Sequence, residues 1–232
     1  MQKTRKSPKV WGHSLMPGPQ DTTTIFETTS LAAPCSRNST RRWPRPSKRP
    51  TQPLRILDLG CGTGLEIEAL LESAPNASIT GVDLSENMLE GLRARYADHM
   101  NQITLVTDSY LTMPLGRQAY DYALSVMAAH HVLHDTKREL YKRIRAALKP
   151  GGKYIEGDSV IPTVLEPQFL AEYHEQVAGL PQAEDGQYHI DVPFSIETQR
   201  ALLLEAGFQD FQVLWERDRN VVWNVAVHVA TA

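Results

Sequence analysis

The chain is poor in cysteine: of its 232 residues only Cys35 and Cys61 carry a thiol. Two cysteines make neither a disulfide framework nor a metal cluster. Also missing is any apolar run near the eighteen or so residues that a membrane-spanning helix needs. The basic N-terminus is not followed by the apolar core of a secretory signal. A cytoplasmic protein with no membrane partner is expected. Acidic residues are scarce in one part: residues 1–53 hold ten Lys or Arg against only Asp21 and Glu27, a charge of +8, so the chain's net −3 leaves −11 for the remainder. Within residues 36–53, rich in Pro, Ser and Arg, Trp43 is the lone aromatic, and such a stretch cannot bury enough apolar surface to fold alone. Residues 1–53 therefore read as a basic extension and 54–232 as one domain. A basic arm on RNA or DNA phosphates is the alternative, although the extension lacks interleaved aromatics for stacking on bases.

The most informative segment is Ile56 to Gly64, a buried strand running into Gly60-Cys61-Gly62-Thr63-Gly64. Glycines here let the backbone take positive φ and approach a ligand with no Cβ in the way. Thr63 and Glu66 match a capping box, which predicts that the next helix starts inside the turn with its unpaired N–H groups facing the ligand. About twenty residues on, where a ribose-binding acid belongs, the run Ile79 to Val82 ends in Asp83, and Ile103 to Thr107 delivers a further acid, Asp108. Three strands ending in ligand groups predict the crevice of an open parallel sheet. A dinucleotide site would want a third glycine at position 65, but Leu65 stands there.

Through Leu57 to Gly64, Gly81-Val82-Asp83-Leu84-Ser85, Thr107-Asp108 and Leu148-Lys149-Pro150-Gly151-Gly152, the sequence resembles the class I S-adenosylmethionine-dependent methyltransferases from about Leu54 to its end. The resemblance implies S-adenosyl-L-methionine as cofactor. It carries roles onto Gly60, Gly62 and Gly64 (methionine moiety), Asp58 (amino group), Asp83 (ribose hydroxyls), Asp108 with Ser109 beside it (adenine amino group), and Leu84 and Met88 (adenine face). Cys61, within the same loop, serves by being small, and Met127 lies in the segment Ser125 to Asp135, where family members meet both cofactor and acceptor. Family members also carry N-terminal helices that close over the cofactor; here only Thr22 to Glu27 offers a candidate.

From Leu54 onward strand and helix signals alternate, which predicts a doubly wound α/β/α sandwich. Strands are expected near 54–59, 77–83, 102–107, 119–126 and 152–159, with helices near 64–73, 86–98 and 136–148. Thr136 and Glu139 form a second capping box, Leu140, Ile144 and Leu148 form an apolar stripe, and Pro150-Gly151-Gly152 stops the helix. Ser195 should cap another helix that Gly207 ends. Two last strands, Phe208 to Trp215 and Val221 to Val229, are joined by so short a link that they must form a hairpin. The sheet is thus mostly parallel and seven-stranded, and ends in an antiparallel C-terminal strand with Val221, Trp223, Val225, Val227 and Val229 on one face. Residues 160–194 read as an insertion on the substrate side, with Tyr173, His174, Tyr188 and His189 as pocket candidates.

The sulfonium of the cofactor is already an activated donor, so positioning and exclusion of water suffice and no triad is required. After the fourth strand come His130, His131 and His134. A neutral imidazole accepts the proton of an attacking hydroxyl or amine near neutral pH, and His130 is the candidate base, with His131 in a packing role. A zinc site from the three histidines is not expected, because adjacent helical side chains point about 100° apart and no carboxylate or cysteine cluster completes the shell. Asp135 begins the next helix. Glu156 and Asp158 share one side of the fifth strand, and Asp158, nearer its end, reaches toward the substrate or merely ends the strand. The expected acceptor is a small molecule, since the acidic folded part repels phosphate backbones. A tRNA-modifying enzyme, with RNA as the acceptor, and an S-adenosylmethionine-binding module without turnover are the alternatives, and oligomeric state is not legible.

Overall fold

In the computed structural model, residues 53–178, 191–217 and 222–232 are described. The readings of 1–52, of the helix candidate Thr22 to Glu27, and of Tyr188, His189 and Val221 fall outside them. Twelve elements follow one another as β1 (Arg55–Leu59), α1 (Ile67–Ser73), β2 (Ser78–Asp83), α2 (Glu86–Arg95), β3 (Ile103–Thr107), β4 (Tyr120–Val126), α3 (His134–Ala147), β5 (Leu148–Val160), α4 (Glu166–Ala178), α5 (Ile196–Glu205), β6 (Gln209–Glu216) and β7 (Asn224–Thr231). The seven strands form one sheet in the order β3-β2-β1-β4-β5-β7-β6. From β3 to β5 all pairings are parallel. Strand order reverses between β1 and β4, and that switch point is where an open α/β sheet binds its ligand. Register sets the strand ends level there, with Leu59 beside Val82 and Asp83 beside Thr107.

Alternation along β1 separates two cores. Ile56 packs with Ile67, Leu70, Leu89 and Leu92 of α1 and α2 on one face. Leu57 and Leu59 pack with Leu140, Tyr141 and Ile144 of α3 and with Leu202 and Leu203 of α5 on the other. Each fully buried Leu or Ile contributes on the order of 1.5–3 kcal/mol. Val225, Val227 and Val229 join the first core, as the stripe along the last strand implies.

Three expectations are corrected. The antiparallel strand β7 does not lie at the sheet's edge; it sits between β5 and β6, antiparallel to both. A hairpin shows that two strands are neighbours but not which is outermost. Helix α1 starts at Ile67 rather than in the glycine turn, with Glu66 in the N-cap position and no side-chain cap. Glu66 is buried beside Asp58 instead of reaching back to the turn. Helix α3 starts at His134, ahead of the Thr136 box, with Leu133 in the cap position. Ser195 does cap α5, accepting from the Thr198 N–H at 3.2 Å, while its hydroxyl donates to Glu166 at the start of α4. Among the described residues no helix is long and apolar enough to cross a membrane.

Candidate functional site

The glycine turn after β1 is fastened to the end of β2. Gly60 and Cys61 N–H both donate to Val82 O, at 2.8 and 3.1 Å. The Asp83 carboxylate accepts from Gly62 N–H at 2.9 Å and from Ser85 N–H at 2.8 Å. Asp83 therefore shapes the turn with one lone pair on each oxygen and retains acceptor capacity on both. Gly60 and Gly62 have φ of 75° and 49°, yet their surroundings differ. A Cβ on Gly60 would stand 2.4 Å from the Ala128 Cβ, whereas one on Gly62 would meet nothing within 4 Å. The turn is thus pressed against the segment after β4 at Gly60 and open at Gly62. Gly60→Ala is expected to cost about 1–3 kcal/mol of overpacking beyond the backbone strain of about 1–2 kcal/mol that Gly62→Ala also carries. Thermal melts of the two unliganded variants check this, and an equal loss in both would show that Gly60 is not wedged against Ala128.

The rest of the rim follows from β2 and β3. Ser85 Oγ accepts from Met88 N–H at 3.4 Å and caps α2, which sets Leu84 and Met88 at the surface with 67% and 47% of their area exposed. Two large apolar side chains beside a carboxylate offer a face to a flat ring. Asp108 is exposed, its N–H donating to Asp83 O at 3.1 Å and its Oδ1 accepting from Ser109 N–H at 2.7 Å. Ser109 Oγ in turn accepts from Leu111 N–H at 3.2 Å. Met127 takes a left-handed φ of 50° at the end of β4, a strained conformation of the kind that gathers at functional sites. Its N–H donates to Gly157 O. Tyr110 OH donates to Ala128 O and steadies the same segment.

Two candidates lie beneath this rim. Cys61 is buried against Gly81, and burial pushes its thiol above the ordinary range. Asp58 is also fully buried, its carboxyl beside that of Glu66. Burial, then the neighbouring Glu66, pushes the Asp58 carboxyl well above its usual range, and burial likewise raises Glu66. Two adjacent buried carboxyls do not both ionise.

Across the switch point lie the histidines. His130 is 2% exposed and Asp158 1%, with His130 Nδ1 2.5 Å from Asp158 Oδ1. Burial alone would lower His130 and raise Asp158. Their attraction and hydrogen bond, with Asp191 adding to His130, reverse both, so His130 sits above the ordinary imidazole range and Asp158 below the carboxylate range. Asp191, which the sequence did not single out, arrives from the chain entering α5: Val192 N–H donates to His130 O at 2.8 Å. Asp191 Oδ1 stands 3.5 Å from His130 Nε2 and 3.5 Å from His131 Nδ1. His134 turns away, to Glu166 at 3.7 Å and to the Phe194 ring at 4.4 Å. The dismissal of a metal cluster thus needs correcting in its geometry: the His130 and His131 ring centroids are only 3.9 Å apart, and a carboxylate does complete the group.

Beneath Asp158 runs a second buried network. Lys137 Nζ lies 2.8 Å from Glu156 Oε1 and 4.6 Å from the Phe194 ring centre. Tyr141 and Tyr154 hydroxyls donate to Glu156 Oε2 at 2.7 and 2.8 Å. Of the pocket candidates, Tyr173 packs against the second core and His174 is exposed. Two hollows, about 490 Å³ along Glu68, Leu71 and Tyr96 and about 370 Å³ along Val160, Ile196 and Val213, are lined by other residues. Converging polar groups, rather than depth, mark the site.

A methyltransferase-domain model matches residues 56–152. A demethylmenaquinone methyltransferase of Symbiobacterium thermophilum is 35% identical over 199 residues, covering 76% of this chain and 75% of that protein. The chain belongs to the class I S-adenosylmethionine-dependent methyltransferases. Another relative in this family, an O-methyltransferase of Aspergillus nomiae, is 26% identical over 71% of this chain and 68% of its own length. Among solved methyltransferase structures, phosphoethanolamine N-methyltransferase 2 of Haemonchus contortus superposes with a TM-score of 0.63 at 20% identity, over 92% of this chain and 52% of that one. This chain thus spans about half of that methyltransferase's length, and the likeness is one of fold.

Proposed function

We propose that this chain transfers the methyl group of S-adenosyl-L-methionine to an oxygen, nitrogen or carbon of a small-molecule acceptor, in the cytoplasm. The observation that carries the reading is the open side of the glycine turn at Gly62, next to Asp83, which keeps acceptor capacity after anchoring the turn. These residues suit the cofactor: the turn admits a backbone-close ligand, Asp83 takes ribose hydroxyls, Asp108 and Ser109 take the adenine amino group, and Leu84 and Met88 cover the ring. When bound, the cofactor supplies a sulfonium that is already an activated methyl donor. Gly60, Gly64 and Met127 fix the walls around its methionine end, with Asp58 and Cys61 supporting the turn from below.

His130 lies on the proposed acceptor side, buried with Asp191 Oδ1 3.5 Å from its Nε2. Asp158 holds its Nδ1, which leaves Nε2 as the atom that meets the acceptor's proton or a cation in the proton's place. The insertion 160–194, which brings Asp191 to this point, shapes the acceptor pocket. An RNA acceptor is favoured only by the +8 extension.

Calorimetric titration with S-adenosylmethionine, S-adenosylhomocysteine and NAD tests the cofactor. Micromolar binding of the first two and none of the third is expected, and binding of NAD alone would overturn the reading. Release of S-adenosylhomocysteine with a panel of small acceptors then tests turnover. Transfer confined to RNA, and lost on removing residues 1–50, would replace the small molecule by a nucleic acid.

A further inference from the structure

From the meeting of His130, His131 and Asp191 we infer that this chain binds a divalent transition-metal cation at His130 Nε2, His131 Nδ1 and Asp191 Oδ1, beside the proposed methyl-transfer crevice. Asp191 Oδ1 is equidistant, at 3.5 Å, from the two ring nitrogens, and all three donor atoms lie within 4.8 Å of one another. Ligands about 2.1 Å from a common tetrahedral centre stand about 3.4 Å apart. Two of the three donor pairs are therefore already at the spacing that one ion imposes, and the two ring nitrogens lie within 4.8 Å of each other.

A second observation points to the same place. His130 Nε2 is buried and makes no hydrogen bond among the described residues, and an orphaned buried donor or acceptor costs about 1–3 kcal/mol. On its other side the ring is tied to Asp158, itself buried and hydrogen-bonded to Ser159 N–H at 2.8 Å. A carboxylate on one histidine nitrogen and an ion on the other is the usual outer-shell arrangement of a metal-bound histidine. It fixes the tautomer and raises the ligand's basicity. Two carboxylates and two imidazoles meet here.

Two imidazoles and one carboxylate suit Zn²⁺, Mn²⁺, Fe²⁺ or Co²⁺ better than Mg²⁺ or Ca²⁺, which prefer shells of oxygen. Three protein ligands leave coordination positions open. Resting on the methyltransferase reading, the inference also narrows the acceptor to one with an ionisable oxygen, a phenol, enol or hydroxy acid, whose oxygen takes an open position.

Equilibrium dialysis of the full chain against Zn²⁺ or Mn²⁺, followed by metal analysis, tests the site, with Co²⁺ visible absorption reporting the ligands. About one equivalent is expected. Asp158→Asn should weaken affinity by about 10–100-fold, and Asp191→Asn by at least that much, with S-adenosylmethionine binding kept in both. No stoichiometric cation, or an affinity unchanged by Asp191→Asn, overturns the site; the group is then an ion-pair cluster with a proton where the metal was placed. Cation binding without any S-adenosylmethionine binding would uphold the site and remove the methyltransferase reading instead.

Discussion

Replacing Lys137 by alanine is expected to destabilise the fold by about 3–5 kcal/mol, the usual cost of leaving one partner of a buried ion pair alone. For a chain of this size that corresponds to roughly 6–20 °C of melting temperature. Lys137 and Glu156 are each at most 1% exposed at the side chain and 2.8 Å apart, so neither charge has water to fall back on. The two tyrosine hydroxyls satisfy only Glu156 Oε2. Removing the ammonium leaves Oε1 without its counterion and opens a hollow under Phe194, whose ring it faces. The double variant Lys137→Met, Glu156→Gln separates these effects. Its neutral amide oxygen still accepts from Tyr141 and Tyr154, and apolar volume replaces the lysine stem, so it should recover most of the loss. Equal damage in single and double variants would mean that packing, not charge, is what Lys137 supplies.

Asp83→Ala should weaken S-adenosylmethionine binding by at least tenfold. A charge-assisted hydrogen bond contributes roughly 1.5–3 kcal/mol, which is about 10–150-fold in affinity. Asp83 carries more than its own contact, because its two oxygens hold Gly62 and Ser85 and so fix both the turn and the start of α2. The Asp83→Asn variant retains one carbonyl oxygen and should fall between wild type and alanine. Calorimetry on the three proteins decides, and an affinity untouched by either substitution would sink the cofactor assignment.

The strands were legible because most contain a short apolar or β-branched run, and β2 and β3 are each followed by a polar ligand group, Asp83 after Val82 being the clearest. Helix starts were less so. The pairing of Thr63 with Glu66 has the right spacing for a cap, but spacing does not reveal that Asp58 lies close enough to draw Glu66 inward. The glycines, Asp83, Leu84 and Asp108 line up along the ends of β1, β2 and β3, with Met88 in the first turn of α2. The histidine cluster is assembled from segments far apart in the chain. Asp191 sits in no periodic element, and the bond from Val192 N–H to His130 O helps bring it to the histidines. Nor does the 100° rule for helical neighbours apply to His130 and His131, which lie in a short 3-10 turn between β4 and α3.

The placing of β7 has a consequence for how the molecule is made. Strand β6 pairs with β7 alone, and β5 has β7 as its outer neighbour. Until Asn224–Thr231 leaves the ribosome, β6 has no place in the sheet and β5, with Asp158 on it, presents a bare edge. Such edges recruit other strands. A nascent chain thus has β1 to β4 available to pair well before β5 is covered, and the exposed edge of β5 is where a stray strand would add in that interval.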